Sequence, residues 1–353
     1  MVSSNDMIPS TAGSTSNAVK PLPKHPEVFV VIPTIRDVEF LNNWADQFRD
    51  VTIVICEDQP KKSVKIPKVG KKTYHYSWQE IDADLGDDGW IISRRNSAIR
   101  SYGFLKAYRL GAEVIITLDD DCYPVKNHPL IDLHLRNLRL SVPKHWVNTY
   151  PDARHLYTRG MPYLNRDEAP VMLSHGLWTH VMDHDGATHL QHLNFRAEFA
   201  EHFLQIIPHG AFFPMCSMNL AFRRELTPLM YFPLMGEDKN GNKWGYDRFD
   251  DIWCGIFAKK VMDAVGWAAI NGAPFVRHEK ASNPFHNLIK ESNGVESNEQ
   301  VWADIFPLGF KSTTAAQPSG MYAELAHQLK SYDSYFPELK KAMFIWSEQI
   351  EKS

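Results

Sequence analysis

Three apolar, β-branched segments constrain the fold of this chain more than any other feature. They read VFVVIPTI at residues 28–35, VTIVICED at 51–58 and VIITLDDD at 114–121. Continuous apolar runs of this length are typical of strands buried on both faces of a sheet. The segment EFLNNWADQF at 39–48 has helical periodicity between the first two. Strand, helix and strand in this order predict an α/β fold.

Two of these strands end in carboxylates, at Asp58 and at Asp119, Asp120 and Asp121. Ligands of open α/β sheets collect at the carboxyl ends of the strands. Three adjacent carboxylates raise one another's pKa and resist burial, so packing does not account for them. Hard cations such as Mg²⁺ and Mn²⁺ take oxygen ligands, and Asp119 and Asp121 could share one ion. A solvated acidic turn is the alternative explanation.

Composition limits the classes of function. The chain has 353 residues, enough for one large domain with appendages or for two domains. A net charge of −4 argues against a nucleic-acid partner. The four cysteines are widely spaced, and no apolar stretch reaches the length of a membrane span. We therefore expect a soluble, cytoplasmic protein with reduced thiols.

The remaining segments give a coarser prediction. Residues 1–25 are expected to be a flexible tail, and residues 59–92 could not be assigned. SRRNSAIRSYGFLKAYRLG predicts a helix from the N-cap Ser93 to Gly111. Residues 145–250 are expected to be rich in loops. DIWCGIFAKKVMDAVG predicts a helix that ends at Gly266, and residues 320–351 predict two helices separated near Pro337, which could supply a homo-oligomer interface.

Arginines and carboxylates elsewhere in the chain have competing explanations. Arg94 and Arg95, with Arg100 close by, could hold a diphosphate at a helix N-terminus or could form a solvated basic face. Asp250 and Asp251 fit an N-cap with a first-turn acid, or a carboxylate that meets a sugar.

Three further residues stay open on physics alone. His278 could bind a metal or a phosphate, although a lone histidine is more often structural. Arg159 and Arg166 lie in TRGMPYLNR, which as a structural element is an ordinary surface turn.

Nine ordered segments between residues 31 and about 288 resemble the reversibly glycosylated polypeptides, the plant UDP-arabinopyranose mutases and their microbial relatives. The segments are VIPTIR, SRRNSAIRSYGF, TLDDDCYP, RGMPYLNR, LSHGLW, FPMCSMNLAF, YFPLMG, RFDDIWCG and HEKASNPF. ICEDQP and RGMPY depart from the plant pattern, and the plant C-terminal segment is not recognisable, so the sugar is less well defined than the fold.

The resemblance implies a GT-A-like, Rossmann-like mixed sheet flanked by helices at residues 26–310, with a helical extension at 311–353. It implies a divalent metal on the acidic triplet, Mn²⁺ or Mg²⁺, and Arg159 and Arg166 as catalytic residues. From the chemistry of the side chains we expect Asp119, Asp121 and His278 to hold the metal, and Asp250 and Asp251 to be catalytic as well. The residues expected to bind the nucleotide are Pro33, Thr34, Arg36, Asp58, Arg94, Arg95, Asn96, Asp119 and Asp120.

The implied reaction interconverts the pyranose and furanose forms of UDP-L-arabinose, with self-glycosylation on Arg159. Because a guanidinium is a poor nucleophile, our hypothesis is that Arg159 captures the sugar slowly while an aspartate carries the productive turnover. Two alternatives remain at this stage. One is a UDP-sugar-dependent glycosyltransferase with an external acceptor, and the other is a UDP-sugar-binding subunit without catalysis.

Overall fold

The computed structural model describes residues 19–146, 149, 156–163, 166–198, 203–279, 282–311 and 318–353. Strands in this part of the chain are β1 (Val28–Thr34), β2 (Thr52–Glu57), β3 (Lys72–Tyr76), β4 (Val114–Leu118), β5 (Cys122–Pro124), β6 (Ser141–Pro143), β7 (Glu168–His180), β8 (Leu204–Ile207), β9 (Asn219–Arg223) and β10 (Ala268–His278). The α-helices are α1 (Trp78–Leu85), α2 (Arg100–Arg109), α3 (Leu130–Leu138), α4 (Gly186–Gln191), α5 (Asp250–Val265), α6 (Pro284–Ser292), α7 (Val295–Ile305), α8 (Pro318–Gln328) and α9 (Tyr335–Glu351).

These strands form one mixed sheet in the order β3-β2-β1-β4-β9-β7-β10-β5, with β6 on β7 and β8 on β10. Strands β1 to β4 pair in parallel, as do β7 and β10, and β9 runs antiparallel between β4 and β7. The carboxyl ends of β1, β2, β4, β7 and β10 therefore share one edge, which we call the carboxyl edge. The predicted α/β sheet flanked by helices is confirmed.

Each face of the sheet has its own hydrophobic core. Phe29 and Val31 of β1 face a core that includes α2, α5, α8 and α9, whereas Val30 and Ile32 face a core that includes Trp44 and α3. This alternation along one strand is why the apolar runs of the sequence are continuous.

The helix predicted from Ser93 begins later than expected. The backbone of Arg94 pairs with Glu237, Asn96 caps a 3₁₀ turn at Ser97–Ile99, and α2 begins only at Arg100. Ser93 instead accepts a hydrogen bond from Met235 N at 2.9 Å. Residues 93 and 94 therefore pair with a segment that is distant in the sequence, and the helix starts after them. Local periodicity contains no information about such a pairing. The helix predicted at 39–48 is likewise shortened to a 3₁₀ helix at Glu39–Trp44.

Residues 145–250 contain more regular structure than predicted. The 13-residue strand β7 crosses the sheet centre, and β8, β9 and α4 also lie in this range. Histidine, glycine and proline interrupt the apolar pattern of β7, which is why periodicity did not reveal it. The unassigned segment 59–92 supplies β3 and α1.

The helix predicted from DIWCGIFAKKVMDAVG is confirmed at Asp250–Val265, and Gly266 ends it in the left-handed conformation with φ 75°. The two C-terminal helices are also present, but they separate between Gln328 and Tyr335. Pro337 lies in the first turn of α9, where a missing N–H costs no hydrogen bond.

The predicted tail at residues 1–25 lies partly outside the described residues, since the described chain begins at Val19. The end of the predicted tail is not free, because Arg139 Nη2 donates to the carbonyls of Pro23 and Lys24 at 2.9 Å. Among the described residues, no helix combines the length and apolar character that crossing a membrane requires.

Candidate active site

Each carboxylate of the acidic triplet has a nitrogen-bearing side chain beside it at the carboxyl edge. Asp119 accepts from Arg100 Nη2 at 2.5 Å, and Asp120 is paired with Arg36. Asp121 lies 3.6 Å from His278 Nε2 and 3.4 Å from Arg36 Nη2. The three carboxylates that follow β4 are thus contacted from α2, from the turn after β1 and from β10, with two guanidinium groups among their partners.

Arg100 is a fully buried guanidinium with four hydrogen-bond acceptors. Besides Asp119, it donates to Ser97 O at 3.1 Å, Thr117 Oγ1 at 2.8 Å and Ser217 O at 2.9 Å. These acceptors belong to three separate segments of the chain, since Thr117 and Asp119 both lie at the end of β4. Because a buried charge needs such complete pairing, Arg100 fixes the position of Asp119 relative to the start of α5.

Asp250 and Asp251 begin α5 on the other side of Arg100. Asp250 is buried and accepts from Ser97 Oγ at 3.1 Å, while Asp251 accepts from the backbone N–H and the hydroxyl of Ser217 at 2.9 and 3.0 Å. Burial raises the pKa of Asp250 to about 6. Burial, together with the charges of Asp250 and Asp183, raises the pKa of Asp251 to about 7. Two carboxyls that titrate near neutrality can exchange protons with a substrate.

The imidazole of His278 is oriented by the strand beside it. Its Nδ1 lies 3.0 Å from the carbonyl of Val181, which can only accept, so Nδ1 carries the proton. Its Nε2 faces Asp121, whose pKa is raised to about 6 by burial and by the charge of Asp119. A histidine anchored through one ring nitrogen and free at the other has the arrangement usual for a metal ligand.

The donor chemistry at the triplet fits a hard divalent cation. Asp119 and Asp121 supply oxygens and His278 supplies one nitrogen, which are ligands that Mn²⁺ accepts. Across the described part of the chain, no three such side chains converge on a common point as they stand. Arg36 and Arg100 occupy oxygens that a cation would need, so binding requires these ion pairs to rearrange.

The carboxyl ends of β1 and β2 form a second group beside the triplet. Asp58 is buried, accepts from Trp78 Nε1 at 2.7 Å and from Asn96 N at 2.9 Å, and has a pKa raised by burial. Thr34 donates to Asp120 at 2.6 Å, and the buried Pro33 precedes it on β1. These residues join the predicted nucleotide side to the acidic triplet.

The two adjacent arginines of the nucleotide side differ in availability. Arg94 is buried, donates to Asp82 at 2.5 Å and lies over the Trp78 ring at 4.9 Å. Arg95 adopts φ 56° and keeps 67% of its side chain exposed while it pairs with Glu237 at 2.9 Å. Arg95 therefore stays largely accessible to solvent, whereas Arg94 is buried among its partners.

The structure does not bring Arg159 and Arg166 together with this site. Both lie in the segment 144–167 between β6 and β7, which leaves the sheet at the edge opposite to the carboxyl edge. Arg166 Nε donates to Pro162 O at 2.8 Å, and its guanidinium lies 3.8 Å from the ring centroid of Tyr157. Arg159 is exposed, and no described residue pairs with it.

A family model described as reversibly glycosylated polypeptide matches residues 23–353. The chain belongs to this family. It is 37% identical over 348 residues to "Probable UDP-arabinopyranose mutase 1" of Solanum tuberosum, which covers 94% of this chain and 92% of the potato protein. It is 36% identical over 354 residues to UDP-arabinopyranose mutase 3 of Arabidopsis thaliana, covering 95% and 94%.

Solved structures resemble this reversibly glycosylated polypeptide only distantly. A glucosyl-3-phosphoglycerate synthase of Mycobacterium tuberculosis, crystallised with Mn²⁺, UDP-glucose and phosphoglyceric acid, aligns with a TM-score of 0.41 and 10% identity. The alignment covers 81% of this chain and 82% of that one.

The site of this family member also contains residues that the sequence analysis did not single out. Ser217 holds Asp251, and Asp183 lies 3.5 Å from Arg248, which adopts φ 67°. Asp183 follows β7 closely, so the rule of acids at strand ends would have revealed it had β7 been predicted. Nothing in the local sequence marks Ser217 or Arg248.

Proposed function

We propose that this chain interconverts UDP-L-arabinopyranose and UDP-L-arabinofuranose. The observation that carries the proposal is the sequence identity of this chain, over nearly its whole length, to proteins named as UDP-arabinopyranose mutases. The geometry supports it, since two groups of carboxylates flank one buried arginine at the carboxyl edge of the sheet. Such an arrangement can bind an anionic diphosphate through a cation and face a cationic sugar with a carboxylate.

A divalent cation, Mn²⁺ or Mg²⁺, would be held by Asp119, Asp121 and His278. When bound, it would neutralise charge on the diphosphate as the sugar departs. The surplus of carboxylates supports this role: Asp119 to Asp121 with Asp250 and Asp251 make five acids, against the two guanidinium groups of Arg36 and Arg100.

The nucleotide would lie over the carboxyl ends of β1 and β2. Asp58, oriented by Trp78 and Asn96, would contact the uracil or the ribose. Arg36 and Arg95 have exposed guanidinium groups that can reach the diphosphate, with Asp120 and Thr34 setting the position of Arg36. Arg94 and Pro33, which are both buried, would line the nucleotide site on the side of the protein core.

The ring interconversion needs the anomeric C–O bond to break with its electron pair on UDP. The C4 hydroxyl oxygen then bonds to the anomeric carbon, and the bond from that carbon to the original ring oxygen breaks with its electron pair on the oxygen. The proton lost by the first oxygen passes to the second, and UDP returns to the anomeric carbon. Asp251, with Asp250 behind it, would face the cationic sugar and move the hydroxyl proton, a role that the pKa values of both, raised towards neutrality by burial, support.

Arg159 would receive the sugar in a slow side reaction, and Arg166 would hold the shape of the loop that carries Arg159. The stacking of Arg166 on Tyr157 and Tyr163 supports this second role. The variant Arg159→Lys should therefore retain ring interconversion and lose the protein adduct. Loss of interconversion with intact UDP-sugar binding would contradict this division of roles.

Incubation with UDP-L-arabinopyranose and Mn²⁺, followed by chromatography of the nucleotides, tests the proposed function. A UDP-arabinofuranose peak supports the mutase. Free UDP with a new glycoside would indicate a glycosyltransferase, and unchanged substrate despite measurable binding would indicate a binding subunit. The variant Asp251→Asn should reduce the furanose peak by at least about tenfold if it supplies proton transfer, while Asp87→Asn, on the distant 3₁₀ turn Gly86–Ile91, serves as the control.

A further inference from the structure

The segment that carries Arg159 is anchored far from the acidic site of its own chain. Lys144 N donates to Asp167 O at 3.1 Å, and Pro143 of β6 pairs with Glu168 of β7. Both ends of the segment thus leave the sheet together, at the amino end of β7. The acidic triplet lies at the carboxyl edge.

The strand register gives the separation between the two places. Leu173 of β7 is level with Phe222 of β9, which is level with Ile115 of β4. Asp167 lies six residues before Leu173, and Asp119 lies four residues beyond Ile115. Ten residues at about 3.3 Å each separate the two by about 33 Å along the strands.

Helix α5 provides a second, independent measure. Lys144 Nζ lies 2.9 Å from the position that a Cβ on Gly266 would occupy, so the segment begins beside the C-terminal end of α5. Asp250 begins the same helix, which has 16 residues. At 1.5 Å per residue, the segment begins about 24 Å from Asp250.

The described contacts within the segment fold it onto itself and not towards the site. Met161 N donates to Thr158 O at 3.2 Å, which places Arg159 at the tip of a turn. Arg166 reaches back to Tyr157 and to Pro162 O. Among the described residues, those from 156 to 163 bond to one another and to Arg166, and no bond joins Arg159 to the acidic site.

The segment that carries Arg159 exposes large apolar side chains, a composition typical of an interface. Trp146 is 47% exposed, Leu156 63% and Tyr163 88%. Exposed aromatic and arginine side chains are enriched at contacts between proteins. The acidic site, with its surplus of carboxylates, is the complementary partner for an exposed arginine.

We propose that Arg159 receives its sugar from the acidic site of a second copy of this chain and not from its own. The inference rests on the proposed function, in particular on the arginine adduct. In the transfer, the bond between the anomeric carbon and the diphosphate oxygen breaks, with its electron pair leaving on UDP. A guanidinium nitrogen forms a bond to that carbon, and the proton it loses goes to a carboxylate of the site and then to water.

Co-expression of two distinguishable chains tests the proposal. One is the wild-type chain with an affinity tag that changes its mass, and the other is the untagged variant Asp121→Asn, whose site is disabled while Arg159 is intact. The purified pair is incubated with radiolabelled UDP-L-arabinose and Mn²⁺, and the label on each chain is counted after denaturing electrophoresis. The matched control replaces the second chain by Asp121→Asn with Arg159→Lys.

Transfer between copies predicts at least tenfold more label on the Asp121→Asn chain in the pair than on the same chain alone, and loss of that label in the control. Label confined to the wild-type chain, with the Asp121→Asn chain folded by its thermal unfolding, would overturn the proposal. If Asp121→Asn does not fold, Asp251→Asn takes its place. Absence of label from the wild-type chain alone would instead reject the adduct in the proposed function, and the inference with it.

Discussion

At the scale of single residues, Arg100 is the side chain on which the geometry of the acidic site most depends. It is fully buried and joins Asp119 to the carbonyl of Ser217, whose own N–H holds Asp251. The residues that would bind the cation and the sugar are thereby tied to one guanidinium. A planar fork with several fixed donors suits this role, and an ammonium group does not replace it.

We expect Arg100→Lys to reduce kcat/KM for UDP-L-arabinopyranose by at least about tenfold, since one ammonium cannot meet four acceptors and Asp119 becomes free to move. The melting temperature should also fall, because buried acceptors lose their donors. Steady-state kinetics and thermal unfolding measure both effects. Arg109→Lys, on the same helix but paired with Asp84 and Gln349, is the control. Unchanged kinetics for Arg100→Lys would contradict the role.

Asp251 makes a prediction about pH and stability. Its folded pKa of about 7 lies above the value of about 3.9 for an unfolded aspartate, so the folded state binds the proton more tightly. Its contribution to stability is complete below pH 4 and is lost as the pH rises through 7. The melting temperature of Asp251→Asn, measured relative to that of the wild type, should therefore rise as the pH is raised from 4 to 8. A difference that is constant over this range would contradict the raised pKa.

The residues of the site were predictable from the sequence to different degrees. Asp58 and Asp119 to Asp121 follow strands whose apolar runs are unmistakable, so their place at one edge of the sheet could be foreseen. Ser217 and Arg248 act through partners more than 30 residues away, and local pattern contains no trace of such contacts. The separation of Arg159 from the acidic edge depends on the register of β7, which the sequence did not reveal.

At the scale of elements, α2 packs closely enough on the sheet to exclude a methyl group. A Cβ at Gly103 would lie 2.4 Å from Val31 Cγ1 and 2.7 Å from Cys56 Sγ. The close approach places the start of α2, and with it Arg100, over the carboxyl ends of β1 and β4. Glycine is otherwise unfavourable inside a helix, which indicates that packing decides its presence here.

We expect Gly103→Ala to destabilise the protein by about 1–3 kcal/mol through overpacking, although alanine is the better helix former. Urea unfolding followed by circular dichroism measures the change. Gly309→Ala provides the control, because a Cβ there meets no atom within 4 Å. A more stable Gly103→Ala variant would show that α2 can move away from the sheet without cost.

The elements themselves were predicted where one periodicity dominates. Strands β1, β2 and β4 and helix α5 follow from continuous apolar runs or from a helical stripe with Gly266 as its stop. Strand β7 escaped prediction because buried His175 and Gly176 break its pattern, and each has a structural partner: His175 bonds Asn271 at 2.8 Å, and a Cβ at Gly176 would clash with Asn219. Buried polar pairing of this kind is visible only in three dimensions.

At the scale of the whole molecule, the C-terminal helices share a core with the sheet. Trp346 of α9 is fully buried, donates to Pro228 O at 3.0 Å and lies 5.4 Å from the Tyr231 ring. Tyr335 donates to Leu234 O at 2.8 Å. These contacts lead us to expect that residues 318–353 unfold together with the sheet.

The variant Trp346→Ala should lose about 3–5 kcal/mol of unfolding free energy and still unfold in a single transition. Urea unfolding monitored by circular dichroism and by tryptophan fluorescence provides the measurement. Trp302→Ala, at a position that is 41% exposed, should cost much less. Two separate transitions would indicate instead that the C-terminal helices form an independent extension.

The measurement that tests the central claim most directly is the conversion of UDP-L-arabinopyranose by purified protein that has been stripped of metal with a chelator. With Mn²⁺ added, the UDP-arabinofuranose peak should be at least about tenfold larger than with the stripped protein. The reason is that the surplus of carboxylates at the triplet repels a diphosphate until a cation is bound. The variant Asp121→Asn should show little restoration. The same furanose peak with and without metal would contradict the metal site, and no furanose peak under any condition would contradict the mutase.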